Sequence, residues 1–354
     1  MHTKPIRVAI NGFGRIGRNS FKVAVTKPEL EVVAINDLGS LEVMAHLLRF
    51  DSVYGRWDHE VAVGDGQLIV DGQAIKFLSE PEPSKLPWKA LAVDVVMEST
   101  GRFAKRRDAA VHLRAGAKRV IVSAPVKAAG EVKTFILGVN DADDVGEELF
   151  SNSSCTTNCV APVTRVMVES VGVKKAMMTT VHSYTAEQNL VDGPVPPLHP
   201  DLRRARAAAI NIVPTTSGAA ISTTETIPAL KGKFDGFAFR VPTPSVSVTD
   251  FTFLTARATT VAEVNQAFRQ AATTKRWQGI LAVSELPLVS SDFLQDPHSA
   301  IVDVPLTKVV DGDLVKVVAW YDNEWGYSNR YVEQVIRVGR QAQLQAPSGS
   351  HERG

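Results

Sequence analysis

The amino-acid sequence predicts an α/β protein in two parts, a doubly wound domain followed by an α+β domain whose sheet is mostly antiparallel. Over the first 150 residues, short β-branched runs alternate with helix-compatible stretches, the rhythm of a parallel sheet covered on both faces. Beyond residue 155 the strand candidates lengthen, and two of them have no helix between them, which favours antiparallel pairing. The chain has 354 residues, 44% of them hydrophobic, enough for two ordinary cores at roughly 150 residues each.

The elements follow in order. In the first part the strand candidates are residues 6–10, 31–35, 93–98, 119–122 and 134–137, with helical patterns over 17–26 and 105–115. In the second part the strand candidates are 176–184, 234–241, 246–255 and 314–321. Thr260-Val261-Ala262-Glu263 has the form of a capping box and opens a helix to about Ala272. Val332, Val335 and Ile336 lie at helical spacing in a last helix after Ser328, and the polar, aperiodic residues from about Gln341 are expected to fray. No internal repeat or low-complexity tract interrupts this order.

Charge and cysteine content narrow the function. The 39 Lys and Arg against 38 Asp and Glu leave a net charge of +1, so bulk electrostatics favour neither a nucleic-acid nor a membrane partner. The apolar runs are broken by charge well short of the roughly 20 residues a membrane span needs. The first residues lack the pattern of a secretory signal, so the expected location is the cytoplasm. Two cysteines, Cys155 and Cys159, are too few for a disulfide framework and have no partners at zinc-ligand spacing, so the expectation is thiol chemistry without a metal.

Gly12-Phe13-Gly14-Arg15-Ile16-Gly17 directly follows the first strand candidate and leads into a helix, where a dinucleotide fingerprint must lie. Gly12 permits the tight turn, Gly14 lets the backbone approach a pyrophosphate, and Gly17 lets the helix pack closely. The helix start offers unpaired N–H groups to phosphate. A glycine run alone is an ordinary turn. Here the second strand ends at Asn36-Asp37, and Asp37 lies 20 residues beyond Gly17, where a carboxylate accepts from ribose hydroxyls and repels a 2′-phosphate. The cofactor expected is therefore NAD rather than NADP.

Ser151-Asn152-Ser153-Ser154-Cys155-Thr156-Thr157-Asn158-Cys159 leads into another helical pattern and puts Cys155 at a helix start, where the dipole favours a thiolate. Cys159, one turn deeper, reads as a buried neutral thiol. A lone cysteine is more often a small buried hydrophobe than a nucleophile. A nucleophilic thiol needs a base within reach, and His182, near the end of a strand, is the candidate. His2, His46, His59, His112, His199, His298 and His351 read as solvated or structural.

Together these residues resemble the phosphorylating glyceraldehyde-3-phosphate dehydrogenases over nearly the whole chain. The motifs are Ile10-Asn11-Gly12-Phe13-Gly14-Arg15-Ile16-Gly17-Arg18, Glu98-Ser99-Thr100-Gly101, Ser123-Ala124-Pro125, Ser154-Cys155-Thr156-Thr157-Asn158-Cys159, His182-Ser183-Tyr184-Thr185, Asp201-Leu202-Arg203-Arg204-Ala205-Arg206, Arg240-Val241-Pro242-Thr243 and Trp320-Tyr321-Asp322-Asn323-Glu324. The resemblance implies a homotetramer with a Rossmann domain over residues 1–154 and 321–354 and a catalytic domain over 155–320. It implies Cys155 as nucleophile and His182 as base, with glyceraldehyde 3-phosphate and inorganic phosphate as substrates. Ser154, Thr156, Thr185, Arg204, Ser217, Gly218 and Arg240 would serve two phosphate pockets. Asn11, Gly12, Phe13, Gly14, Arg15, Ile16, Asp37, Thr100, Ser123, Asn323 and Tyr327 would surround NAD.

Several positions depart from the family's usual pattern. Ser217 stands where Thr is usual, Ala186-Glu187 where Asn-Asp is common, and Pro81 where a basic residue often approaches the adenine. The segment from Thr185 to Asp201 is longer and carries Pro194, Pro196 and Pro197. His199-Pro200-Asp201-Leu202-Arg203-Arg204 also resembles the erythrose-4-phosphate dehydrogenase branch, the nearest alternative. A Cys/His acyl hydrolase would leave Asp37 and Asn323 without a role, and a non-catalytic binding protein would have no need of a thiol beside a base.

Overall fold

The computed structural model describes residues 4–103, 105–125, 131–143, 146–195 and 201–345. Two eight-stranded sheets organise the chain. In the first, Ile6–Asn11 is buried at every position except Arg7, as a central strand covered on both faces must be. The order across this sheet is Leu149–Ser151, Arg119–Val122, Val95–Glu98, Ile6–Asn11, Leu30–Asn36, Gln73–Leu78, Gln67–Val70 and Val61–Gly64. The first six strands run parallel. The order reverses between Ile6–Asn11 and Val95–Glu98, which opens a crevice at the carboxyl ends of these strands.

The last three strands form a meander that the β-branched periodicity misses. Its turns, Asp65-Gly66 and Asp71-Gly72, have φ of 51°, 71°, 49° and 78°, the left-handed pairs of primed hairpin turns, so the Asp-Gly signal was present. Residues 134–137, expected as a strand, make only an isolated bridge from Thr134 to Ser151. Phe135 N and Lys133 O bond to Ser151 at 3.0 and 2.9 Å, but the Ile136 carbonyl then accepts from Val139 N and Asn140 N at 3.0 and 3.2 Å. The chain so turns out of the sheet, with the Asn140 side chain binding the outward-facing Thr134 carbonyl and Ile136 N–H. Leu149–Ser151 is the edge strand instead. The helical pattern over 105–115 becomes two single turns, Arg106–Ala109 and Val111–Arg114.

The second sheet is mostly antiparallel, as expected, with the order Val213–Thr216, Phe234–Val241, Val173–Ser183, Ser247–Thr255, Leu314–Tyr321, Ala300–Asp303 and Leu281–Ser284. Lys308–Val310 also pairs with Leu314–Tyr321. The strands Phe234–Val241 and Ser247–Thr255, neighbours in sequence, do not pair with each other. Both flank Val173–Ser183, the first in parallel and the second antiparallel. The helix Cys155–Ser170 packs Cys159, Val163 and Met167 against Phe251, Phe253, Val315 and Val317 of this sheet. Thr260 caps Val261–Ala272 by accepting from Glu263 N at 3.2 Å, but the Glu263 carboxylate turns to Thr259 and Arg257, so only one arm of the expected capping box is present.

The last helix, Trp325–Gln345, starts earlier than expected because Asp322 Oδ1 accepts from Glu324 N and Trp325 N at 3.0 and 2.9 Å. It also continues past residue 341, where fraying was expected. Ala342 is buried, and Gln343 Nε2 donates to Lys4 O at 3.1 Å, which ties that turn to the first strand's approach. The rest of the expected tail, from residue 346, lies outside the described residues. Tyr327, Tyr331, Val332, Val335 and Val338 join the core of the first sheet with Ile6, Val8 and Ile10, so the end of the chain packs on its beginning. No helix among the described residues is long and apolar enough to cross a membrane.

Candidate active site

The crevice over the first sheet is shaped by backbone. Gly12 has φ of +93°, and a Cβ there would lie 2.7 Å from Thr100 N. A Cβ on Gly17 would lie 2.0 Å from the Gly12 carbonyl, so the helix Arg15–Ala24 meets the turn without side chains between them. At Gly14, the helix N-cap, a Cβ would meet nothing within 4 Å, which leaves open space at a helix start where a pyrophosphate fits. Asp37 accepts from Phe13 N at 2.6 Å and from Gly39 N at 2.8 Å. Each carboxylate oxygen keeps a lone pair for a ribose hydroxyl. The residues present therefore fit a dinucleotide.

Several predicted residues form the frame of this crevice. Asn11 donates to Glu98 at 2.6 Å and accepts from Asn36 at 2.7 Å, while Thr100 gives its N–H and hydroxyl to Glu98 at 2.9 and 2.5 Å. His112 completes this buried network, binding Glu98 at 2.9 Å and accepting from Trp88 Nε1 at 3.0 Å, which bears out its structural reading. Ser123 is tied by its N–H to the Glu98 carbonyl at 2.9 Å. Arg15 is ion-paired with Asp51 at 2.7 Å and Glu324 at 2.5 Å, joining the first helix to the last. Phe13 and Ile16 pack into the core of the first sheet. Tyr327 donates to Ser153 O at 3.0 Å, and Asn323 accepts from Ser247 at 3.0 Å.

Cys155 is the first residue of its helix, with Ser154 as N-cap accepting from Thr157 N at 3.1 Å. Ser153 just before it has φ of +56°, a strained value for a residue with a side chain. Cys155 packs against both sheets' cores and remains partly exposed. Its Sγ lies 3.5 Å from His182 Nε2, while His182 Nδ1 is 2.7 Å from the Ser183 carbonyl and so carries the proton. Nε2 is left as the acceptor facing the thiol. Burial first, and then Arg240, lowers His182 to about 3. Burial also raises the Cys155 thiol, against the opposing effect of Arg240 and of hydrogen bonding from Thr156. Both shifts favour the uncharged forms of the pair, against the helix dipole, which favours a thiolate. Cys159 is fully buried and its thiol is raised by burial, consistent with a structural role.

An arginine pocket adjoins this pair. The parallel register places Arg240 beside His182. Arg240 Nη1 donates to Thr185 Oγ1 at 2.9 Å, and Arg204 Nε donates to Thr215 Oγ1 at 2.9 Å. Glu187 joins the two guanidiniums, 2.5 Å from Arg204 and 3.6 Å from Arg240. Ser217 and Gly218 stand at the start of the helix Ala219–Thr226, where Ser217 accepts from Ala219 N at 3.3 Å. Thr156 Oγ1 lies 2.9 Å from the hydroxyl of Tyr321, whose ring stands edge-on to His182. Sequence reading missed Tyr321 and Glu187 as site residues. Their signals were an inward position on an alternating strand for Tyr321 and, for Glu187, a carboxylate two residues after Thr185 in a run with arginines.

Fold and site define an NAD-dependent oxidoreductase with a cysteine facing a histidine. The description "Glyceraldehyde 3-phosphate dehydrogenase, NAD binding domain" matches residues 6–106, and "Glyceraldehyde 3-phosphate dehydrogenase, C-terminal domain" matches residues 154–323. A glyceraldehyde-3-phosphate dehydrogenase of Geobacillus stearothermophilus is 52% identical over 93% of this chain and 96% of its own. One from Mycobacterium bovis is 52% identical over 95% and 99%, and glyceraldehyde-3-phosphate dehydrogenase 1 of Bacillus subtilis is 49% identical over 95% and 98%. The chain belongs to the glyceraldehyde-3-phosphate dehydrogenase family. The erythrose-4-phosphate alternative is not favoured by these relatives.

Proposed function

We propose that the protein oxidises and phosphorylates D-glyceraldehyde 3-phosphate to 1,3-bisphosphoglycerate, in glycolysis or its reverse. The observation that carries this reading is the Cys155–His182 pair, 3.5 Å apart with the outer imidazole nitrogen tied to a carbonyl, at the mouth of a dinucleotide crevice. Cys155 Sγ bonds to the aldehyde carbon as its proton passes to the new hydroxyl, forming a thiohemiacetal. His182 Nε2 then takes the hydroxyl proton as hydride leaves the carbon, giving a thioester. NAD, when bound, accepts that hydride. A phosphate oxygen attacks the thioester carbon, the C–S bond breaks, and the thiolate is released with the acyl phosphate.

Thr185, Arg204 and Arg240, with Ser154, Thr156, Ser217 and Gly218, would hold the substrate phosphate and the attacking phosphate. Two buried donors, Arg240 Nε and Gln188 Nε2, lack hydrogen-bond partners among the described residues, which suits a pocket that takes an anion. An anion there also offsets the positive charge that opposes an imidazolium at His182. Gly12, Gly14 and Asp37 would face NAD, with Asn323 and Tyr327 near the nicotinamide and Asn11, Phe13, Arg15, Ile16, Thr100 and Ser123 shaping the crevice.

The proposed division is an NAD-binding domain of residues 1–154 and 321–354 around a catalytic domain of 155–320. The packing of Tyr331 and Val335 beside Ile6 and Val8 supports it. Exposed Leu190, Val191, Leu202, Ile210 and Ile212 support a subunit-facing segment in a homotetramer. The proposed location is the cytoplasm.

The test is NADH absorbance on mixing protein, NAD and glyceraldehyde 3-phosphate, with and without inorganic phosphate. Phosphate-dependent turnover lost in Cys155→Ser is expected. Turnover indifferent to phosphate would overturn the phosphorylating reading.

A further inference from the structure

Two guanidiniums share the pocket beside Cys155, and the group between them is an internal carboxylate. Arg204 and Arg240 are both largely buried, and like charges so placed repel unless an anion stands between them. Glu187 Oε1 is that anion, 2.5 Å from Arg204 Nη1 and 3.6 Å from Arg240 Nη2. Its side chain is 28% exposed and lies on the turn after Thr185, so it has room to swing toward solvent. It also satisfies the pocket incompletely. Arg240 Nε and Gln188 Nε2 remain buried without partners among the described residues, although Gln188 Oε1 accepts from Arg240 at 3.4 Å and from Thr185 N at 3.3 Å. A tetrahedral phosphate has two charges and four oxygens where one carboxylate oxygen now stands.

We infer that Glu187 is a built-in occupant of the arginine pocket, which a phosphate or phosphate monoester must displace. Resting on the reading that Arg204 and Arg240 form an anion pocket, the inference makes Glu187 a positioning residue that sets how much phosphate the enzyme needs. While the pocket is empty, Glu187 keeps the two arginines together. When an anion enters, the carboxylate leaves and the pocket passes from one negative charge to two. The same carboxylate discriminates against weak monoanions, because a ligand of single charge gains nothing over the group already there.

The test compares the full-length protein with Glu187→Gln, which preserves size and removes the charge. Thermal midpoints are measured against inorganic phosphate at constant ionic strength, so that stabilisation reports binding. With the competitor removed, half-saturating phosphate is expected to fall by about tenfold, as for loss of one charge-assisted contact, and the midpoint without phosphate to fall as well. The KM for phosphate in the NADH assay should fall by the same factor. Glu187→Asp, one methylene shorter, should shift both readouts the same way by less. Glu285→Gln, which breaks an exposed pair with Arg269, controls for the loss of one charge and should move neither.

Unchanged or weaker phosphate binding in both Glu187 variants overturns the inference. If the wild-type protein forms NADH without regard to phosphate, the phosphorylating reading fails by itself. The thermal titration still reports whether Glu187 competes for the pocket. Should Glu187→Gln fail to fold, Glu187→Asp carries the same decision.

Discussion

At the phosphate end of the dinucleotide crevice the shaping groups are main-chain atoms and missing side chains within a few residues of one another, from Gly12 to Gly17. Around Cys155 they are side chains drawn from far apart, with Thr156 and Tyr321 in hydrogen-bond contact across 165 residues. A backbone-shaped cradle is written where it is used. A side-chain site is written in pieces and exists only once the second sheet has brought Val173–Ser183, Phe234–Val241 and Leu314–Tyr321 together. The two regions meet at Cys155, which packs against both cores.

This contrast implies that chemistry and cofactor binding should separate by mutation. Cys155→Ser should lower kcat/KM by about 10⁴-fold or more while NAD still binds, as loss of a covalent nucleophile does. Titrating NAD by fluorescence quenching in that variant checks it, and loss of binding would break the separation. His182→Asn should lower kcat by about 10²- to 10⁴-fold, the range for a lost general base, again with NAD affinity retained. Gly17→Ala attacks the other region. Its Cβ would meet the Gly12 carbonyl at 2.0 Å, so NAD affinity should fall by 100-fold or more, about 3 kcal/mol, with a lower thermal midpoint. Normal NAD binding by this variant would show that the turn yields more easily than close packing implies.

Two smaller effects sharpen the comparison. Asp37→Ala should raise the Kd for NAD by about tenfold and narrow the preference over NADP, measured as the ratio of kcat/KM values for the two cofactors. His182, at about 3 when folded against 6.5 in its ordinary state, binds its proton more readily in the unfolded chain. Its contribution to stability is full above about pH 6.5 and is lost as pH falls toward about 3. The limiting slope is about 1.4 kcal/mol per pH unit for one proton. Denaturant unfolding from pH 7 to pH 5 should show a shallower loss of stability in His182→Asn, and identical slopes would mean that the imidazole stays solvated when folded.

Elements whose signal is local were legible in the sequence. The strand Ile6–Asn11, the glycine turn and the helix behind it need only residues within about 20 positions, because β-branching, absent Cβ atoms and helix periodicity act at short range. Cys155 and His182 were legible as a candidate pair, through residue type and placement at a helix start and a strand end, and the structure brings them within 3.5 Å. Residues 134–137 have strand-forming residues, yet after one bridge to Ser151 the chain turns at Ile136, whose carbonyl accepts from Val139 and Asn140, a turn no periodicity reveals. The end of the last helix was misjudged for a similar reason, since Gln343 is held by Lys4 from the other end of the chain.

The sequence by itself determined the α/β order, the nucleotide turn and which cysteine stands at a helix start, because these depend on backbone freedom and local pattern. Only the tertiary structure decided that Cys155 faces the unprotonated nitrogen of His182 in a largely buried site. Burial shifts both groups toward their uncharged forms and Arg240 acts on both, and neither influence can be read from one segment alone. It also decided that Glu187 fills the arginine pocket, since the partners of a charge are chosen by which strands lie side by side.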